Sequence, residues 1–396
     1  MSEVKPFLEE VHIKNFLSLR NVTLPLRPLT VLVGPNASGK SNVLNALNLL
    51  NTMTVVETPP PVKFVQDLLW AGKANYITFQ LQAKVEKDSA EYKLQLTAES
   101  DNPFVAEKLV LKRKKEISVI SIENGEGTVQ DEDGTNKTDY KSNKLALKSA
   151  GDYGSKPVTR ALTEFIKGWE FYDFQPRLMR GPVTDLNKIL SGESEGLPES
   201  PKLDDDGSTL RALLSYWYEN NRQRFNNVSE SLAECTNIKI DHCQIDGDYQ
   251  LCLSEGYETP FPLKRASDGT LRLVAYYILL NEPELPPLIA IEEPERNLHP
   301  GALMAIANVL ERIAERTQVI ITTHSSQLLD AFNPQSLSDT LGVLLLRNRS
   351  GLGTEVINLE DVRGKRAALD GWIADFGIGN AIFDTELLQD LMEEPV

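Results

Sequence analysis

The chain has 396 residues, 41% of them hydrophobic and 25% charged, enough to bury a large core in one or two lobes. A formal net charge of −16 excludes a protein that coats nucleic acid over a broad surface, because neutralising phosphates needs dense Lys and Arg. No apolar run approaches the ~20 residues that span a bilayer, and MSEVKPFLEE lacks the order of a secretory signal; no membrane contact and a cytoplasmic location are expected.

In chain order, residues 11–33 predict two strands, VHIKNFLSL and LTVLVG, the second a nearly continuous apolar run of the kind buried on both faces. Residues 34–41 read GPNASGKS, the pattern GxxxxGK[ST], and VLNALNLL after it predicts a helix. Gly34 and Gly39 let the backbone turn its N–H groups inward, where they and the helix N-terminus cradle phosphates. Contacts to ATP are expected from Gly34, Pro35, Asn36, Ala37, Ser38, Gly39, Lys40, Ser41 and Asn42. Lys40 brings a point charge to the β- and γ-phosphates, and the Ser41 hydroxyl is placed to ligate Mg2+. The competing reading, a Gly-rich turn without a ligand, leaves the strand–loop–helix context unexplained.

From Tyr76 to about Glu123 four alternating segments (YITFQLQAKV, EYKLQLTAE, FVAEKLVLKR, ISVISIE) predict an antiparallel β layer appended to this lobe. Lys108, Lys112, Arg113, Lys114 and Lys115 form the one local basic cluster. A solvated strand end explains it better than a DNA contact, since no stacking aromatics are interleaved. Residues 124–157, rich in Gly, Asp, Asn, Lys and Ser, predict a long surface hairpin or mobile loop. A second loop runs from Gly192 to Gly207, and TLRALLSYWYENNRQRF then places Leu210, Leu213, Leu214, Trp217 and Tyr218 on one helical face, with Ser208 or Asp206 to cap it. IKIDHCQI and YQLCLS predict strands. The three cysteines, Cys235, Cys243 and Cys252, are odd in number and clustered, which suggests buried strand thiols rather than a disulfide framework. His242 and Cys243, as strand neighbours, point to opposite faces and make a poor metal pair.

Three further segments carry chemistry. In LKRASDGTLRLVAYYILL, Ser267, Asp268 and Gly269 precede an apolar helix whose free N–H groups, with a hydroxyl, can read a second anion. One chain already has a phosphate loop, so the economical arrangement is a head-to-tail dimer in which this segment closes on the partner's nucleotide. In PPLIAIEEPERNLHP an apolar strand ends in two carboxylates: Glu292 is expected on the metal, through water, and Glu293 as general base or water-orienting group. An acidic strand-to-loop junction on the surface is the bland alternative. TQVIITTHSSQLLD presents His324 at the end of another core strand, where a neutral imidazole can donate to the γ-phosphate or the attacking water, although a lone histidine is more often a hydrogen-bonded structural residue.

Together these segments resemble the ABC ATPase head of the SMC-like and RecF-like branch. In that resemblance GPNASGKSN is Walker A, with Asn42 typical of the branch; ASDGTLR stands for the signature, IAIEEPE for Walker B, NLHP for the D-loop, and His324 for the switch histidine. The resemblance implies an α/β head with a mixed, mostly parallel central sheet, an appended antiparallel layer and a helical insert. It also implies a glutamine loop touching Mg2+, for which Gln175 in FYDFQPRLMRGP is the candidate, with Arg177 and Arg180 as phosphate or interface residues. Asp268 and Thr270 replace Gly and Gln of the common LSGGQ, and Glu292 replaces Asp. Those departures weaken the analogy to transporters, and SDGTLR with IEEPE and LHP is similar to ATPases related to the OLD family, including components of bacterial anti-phage systems.

The stretch between Lys40 and Asp268 is too long for a transporter subunit and too short for coiled-coil arms, and no sustained heptads occur in it. The expected division is an ATP-binding lobe over residues 1–173 with the β insert at about 75–123 and the loop at about 124–157, a helical insert with returning strands over 174–263, the signature, Walker B and switch segments over 264–359, and a helical tail over 360–396. The tail shows no acidic cluster of a TOPRIM nuclease, so no fused nuclease is expected. The expected activity is Mg2+-dependent ATP hydrolysis by a homodimer or higher homo-oligomer that switches a separately encoded effector, which could be a nuclease, in phage defence or in surveillance of duplex DNA or its ends. Two alternatives remain open at this point: a RecF-like repair ATPase, and a nucleotide-bound scaffold that holds an effector with little turnover.

Overall fold

A computed structural model describes residues 6–56, 59–72, 74–100, 103–141, 144–150, 154–181, 201–245, 247–254, 259–366 and 368–383. Its centre is a six-stranded sheet in the order β10-β14-β15-β3-β16-β17, comprising Glu170–Tyr172, Leu288–Glu292, Gln318–Thr323, Leu29–Val33, Leu341–Arg349 and Gly353–Asn358. Every neighbouring pair is parallel except β16 with β17. Every residue of β3 and β15 is buried, which a sheet covered on both faces demands and which the unbroken apolar runs foretold. Alternate residues serve opposite layers. Val31 and Val33 pack with the helices Asp268–Asn281 and Leu303–Ala314, while Leu32 packs with the helix Lys40–Val55.

The second layer is an eight-stranded antiparallel sheet, β2-β1-β4-β5-β6-β7-β8-β9, formed by Leu19–Pro25, Phe7–Phe16, Tyr76–Val85, Asp88–Thr97, Phe104–Lys112, Glu116–Glu123, Glu126–Val129 and Thr138–Lys141. VHIKNFLSL is not one strand. The chain turns at its end, with Asn15 at φ 62° and Leu17 at φ 48°, and RNVTLP returns as β2, a strand the periodicity did not announce. The stretch 124–157, expected as a hairpin or loop, carries β8, β9 and the helix Ala146–Ala150. Its acids are structural rather than solvated: buried Glu132 takes the N–H groups of Val158 (3.1 Å) and Thr159 (2.7 Å) at the start of the helix Pro157–Lys167, and Asp131 pairs with Lys156 at 2.9 Å. In the basic cluster Lys112 pairs with Glu91 (2.7 Å) and Arg113 with Asp88 (2.6 Å).

In the insert, the helix Leu210–Asn220 buries Leu210, Leu213, Leu214 and Trp217 on one face, and Tyr218 packs against it half-buried. Its N-cap is Thr209 rather than Ser208 or Asp206; Asp204 accepts from Thr209 N at 3.0 Å, and Asp206 accepts from Ser208 N at 2.8 Å one residue earlier. The cysteine expectation needs a larger correction. Cys243 and Cys252, on β11 (Lys239–Ile245) and β12 (Asp248–Ser254), are joined in a disulfide. Cys243 lies opposite Gln250 and Cys252 opposite Asp241, so the two are diagonal neighbours on one face with Cα atoms 5.9 Å apart, within bonding reach. Cys235 is half-buried on the helix Arg222–Thr236. No helix among the described residues is long and apolar enough to cross a membrane.

Glu107 on β6 is 3% exposed and accepts from Tyr92 Oη (3.0 Å), Ala146 N and Leu147 N (both 2.6 Å). Burial outweighs these three donors and pushes its carboxyl up to about 7. A folded-state pKa above the unfolded one means that stability is full at acid pH and is lost as pH rises through about 7. Melting temperature should therefore fall between pH 5.5 and 8, as about 2 kcal/mol of stability is lost. Glu107→Gln should start less stable, because one acceptor oxygen is lost, but should flatten this pH dependence in melts followed by circular dichroism.

Candidate nucleotide site

The phosphate-loop pattern folds as its residue types require. β3 ends at Val33, and the helix Lys40–Val55 opens behind Gly39, which sits at φ 103°. A side chain at Gly39 would lie 2.2 Å from Thr354 Oγ1, and one at Gly34 would lie 2.2 Å from the Leu346 carbonyl oxygen, so both glycines are sterically obligatory. Ala37 is also left-handed, at φ 62°. Pro35, Asn36 and Ala37 are exposed, while Ser38 is buried. Lys40 is buried beneath the loop, its Nζ donating to the carbonyls of Gly34 (2.7 Å) and Pro35 (3.0 Å). Burial lowers its pKa, and the charges of Glu293, Glu292 and Glu295 oppose that. The Ser41 hydroxyl donates to Glu292.

A layer from distant parts of the chain supports the loop. Asn42 Nδ2 donates to Ser18 Oγ (2.8 Å), Ser18 pairs with Thr354 Oγ1 (2.7 Å), and Thr354 donates to the Ser38 carbonyl (3.0 Å). Asn348 Nδ2 donates to the Ala37 carbonyl at 3.2 Å. Asn42, expected on the nucleotide, is thus engaged with Ser18. The polar residues Ser18, Asn348 and Thr354 gave no sequence signal, because each reads as an ordinary turn or edge residue. A cavity of about 890 Å3 adjoins this layer at Thr354, lined by Lys14, Arg20, Trp70 and Arg349, with the Arg20 guanidinium 5.2 Å over the Trp70 ring.

The acids lie at the ends of neighbouring strands. Glu292 closes β14 opposite Thr322 of β15. Glu293 follows at φ 43°, its N–H held by the Thr322 carbonyl and hydroxyl, each at 3.1 Å. This left-handed kink turns the second carboxylate toward His324, whose Nδ1 is 3.2 Å from Glu293 Oε1. Arg296 Nε and Nη2 lie 3.2 Å from Glu293 Oε2. Glu295, 9% exposed and with its pKa raised by burial, takes the Thr323 hydroxyl (2.5 Å) and the His324 N–H (3.4 Å). Neither Glu295 nor Arg296 was singled out from sequence, although both lie in IEEPER.

The signature residues stand apart. Ser267 caps the helix Asp268–Asn281, its Oγ accepting from Thr270 N at 3.1 Å, so the helix begins at Asp268 and one of its first donors is already satisfied. Asp268 pairs with Arg180 (2.6 Å), which also donates to the Ala266 carbonyl (2.7 Å). At Gly269 an added side chain would lie 2.6 Å from the Asn297 carbonyl oxygen. Among the described residues, no hydrogen bond or ion pair links Ser267, Asp268 or Gly269 to residues 34–42. Gln175 is exposed three residues beyond β10, at the same sheet edge as Glu292, and its N–H donates to the Asp206 carbonyl at 2.9 Å.

Residues 29–330 match the AAA_21 family, described as AAA domain, putative AbiEii toxin, Type IV TA system. The chain belongs to this ATPase family. The AAA_21 chain is 24% identical over 363 residues to the Old nuclease of Escherichia phage P2, which covers 82% of this chain and 57% of that protein. A 95-residue stretch is 36% identical to the DNA replication and repair protein RecF of Crocosphaera subtropica, 24% of this chain and 23% of RecF. The chain therefore spans little more than half, and about a quarter, of the lengths of these curated relatives. A solved SMC head bound to the C-winged helix domain of ScpA aligns over 90% of this chain and 99% of that one, with a TM-score of 0.50 at 14% identity. The expected SMC/ABC-like α/β head is the observed fold, and kinship with the OLD and RecF ATPase regions is borne out.

Gly39→Ala should abolish the loop's turn, since the left-handed φ and the Thr354 clash act together. Binding of a fluorescent ATP analogue should fall by at least ~tenfold, and the melting temperature should drop, whereas Gly371→Ala, with open space around it and no positive φ, should leave nucleotide binding unchanged.

Proposed function

We propose that this protein is an ATP-hydrolysing dimeric switch, and the observation that carries the reading is the convergence of Lys40, Ser41, Glu292, Glu293 and His324 beyond the carboxyl ends of β3, β14 and β15. Ligands of open parallel sheets bind at this edge. Ser41 and Glu292, already hydrogen-bonded to each other, would hold Mg2+, a cation that needs only one or two protein oxygens beside waters and phosphates. Bound there, Mg2+ neutralises the charge that builds on the transferring phosphoryl group. Lys40 stays beneath the loop and presents its ammonium to the same phosphates, while the N–H groups of residues 34–41 cradle them. The cationic, aromatic-lined cavity at Thr354 offers room for the nucleoside. Glu293 accepts a proton from the attacking water, and His324 orients that water and donates toward the γ-phosphate. Gln175 is the glutamine-loop residue in this reading.

Ser267, Asp268 and Gly269, unconnected to the loop of their own chain, would close on the nucleotide of a second copy. Kinship with the phage P2 Old nuclease and the family's description support a role in phage defence; a separately encoded effector is part of the same proposal. The RecF-like stretch supports a second reading, a DNA-repair ATPase, which predicts salt-sensitive, ATP-dependent binding to duplex ends.

Phosphate release should be lost in Lys40→Ala. Glu293→Gln should bind ATP and accumulate as a dimer in light scattering. Monomers alone, with ATP demonstrably bound, would sink the dimeric switch; equal turnover in wild type and Glu293→Gln would sink the role of Glu293.

A further inference from the structure

Glu293 divides its carboxylate between an imidazole and a guanidinium. Oε1 faces His324, and Oε2 takes two nitrogens of Arg296. The third Arg296 nitrogen, Nη1, reaches Asp173 Oδ1 at 3.3 Å. Asp173 is the first residue beyond β10, so it stands at the sheet edge that carries Glu292, held there by its N–H bond to the Asp205 carbonyl (3.0 Å). The same Asp173 oxygen lies 4.0 Å from Nη2 of Arg272. Arg272 is three residues beyond Gly269 on the signature helix; it is 2% exposed, and among the described residues its Nε and Nη1 have no hydrogen-bond partner.

A buried guanidinium remains charged and requires a counter-ion. Asp173 is an ion-pair partner of Arg272 and, beside Glu293, of Arg296. One carboxylate therefore joins the helix that opens with Ser267–Gly269 to the arginine that fixes Glu293. We propose that Asp173 is a positioning residue: it anchors Arg296, which orients the Glu293 carboxylate, and through Arg272 it makes that orientation depend on the placement of the signature helix. A partner pressing on Gly269 would close or open the long Arg272–Asp173 contact, and the competing Arg296–Asp173 contact would respond. The inference rests on Glu293 being the group that activates water.

The test uses full-length protein with ATP as substrate. Asp173→Asn and Arg296→Gln should each lower kcat by ~tenfold or more while KM for ATP stays within ~threefold. The double variant should lose no more than the worse single, because both act through one chain of contacts. Asp173→Glu should recover part of the rate. Asp173→Asn strands the Arg272 charge and could lower stability; adding Arg272→Met should then restore the melting temperature but not kcat. Losses that multiply in the double variant, or a change confined to KM, overturn the proposal.

If wild type releases no more phosphate than Lys40→Ala, the ATPase reading fails and positioning is read separately. The chain has four histidines, and His324, beside Glu293 and 3.9 Å from Glu295, is identified in proton NMR by its loss in His324→Gln. At fixed pH, Arg296→Gln and Asp173→Asn should each shift the His324 ring resonances, because both change where the Glu293 carboxylate is held beside the imidazole. Ring resonances that shift in Arg296→Gln alone, or in neither variant, overturn the proposal.

Discussion

The candidate site depends on one register. Thr322 of β15 lies opposite Leu32 of β3 on one side and Glu292 of β14 on the other. Parallel pairing brings three strand ends level, so the phosphate loop after Val33, the acids at Glu292 and Glu293, and the imidazole of His324 emerge along one line. Shifting β15 by one residue would turn His324 away from the sheet edge and exchange every buried side chain of the strand between layers. The all-buried sequences of β3 and β15 oppose such a shift, because each face is already packed, one by helices and the other by the helix behind the loop.

Charge pairing explains why the site is closely knit. Lys40 is a buried ammonium whose desolvation is opposed by three nearby carboxylates, and its hydrogens go to loop carbonyls. Glu293 lies between His324 and Arg296, and Ser41 donates to Glu292. Each of these groups thus has a partner within the protein, which keeps buried charge paired. The exception is instructive: buried Arg272 has a long contact, 4.0 Å, to the Asp173 carboxylate, on the helix that opens with the residues expected to meet another copy.

Support for the loop comes from residues far from it in sequence. Ser18 at the β1–β2 turn and Thr354 at the start of β17 sit beneath Ser38 and Asn42, so the antiparallel layer and the last strand of the central sheet meet under the phosphate loop. Asp204, Glu107 and Glu132 show the same economy elsewhere. Each is an acidic residue that composition would assign to solvent, and each instead binds backbone N–H groups near a helix start.

By itself the sequence determined the parts whose chemistry is local. The glycines of GPNASGKS, the buried strand before it, the double acid ending LIAIEE and the histidine ending VIITTH are legible because turn sterics, two-sided burial and strand polarity act within a few residues. The four alternating strands after Tyr76 were legible for the same reason. Only the tertiary structure decided which distant groups meet: β2 returning against β1, the Cys243–Cys252 bond across β11 and β12, the Ser18–Thr354 layer, and Asp173 between Arg272 and Arg296. Those contacts join residues whose local sequence is unremarked polar chain, and a pairing energy between positions hundreds of residues apart leaves no period or spacing in the sequence to read.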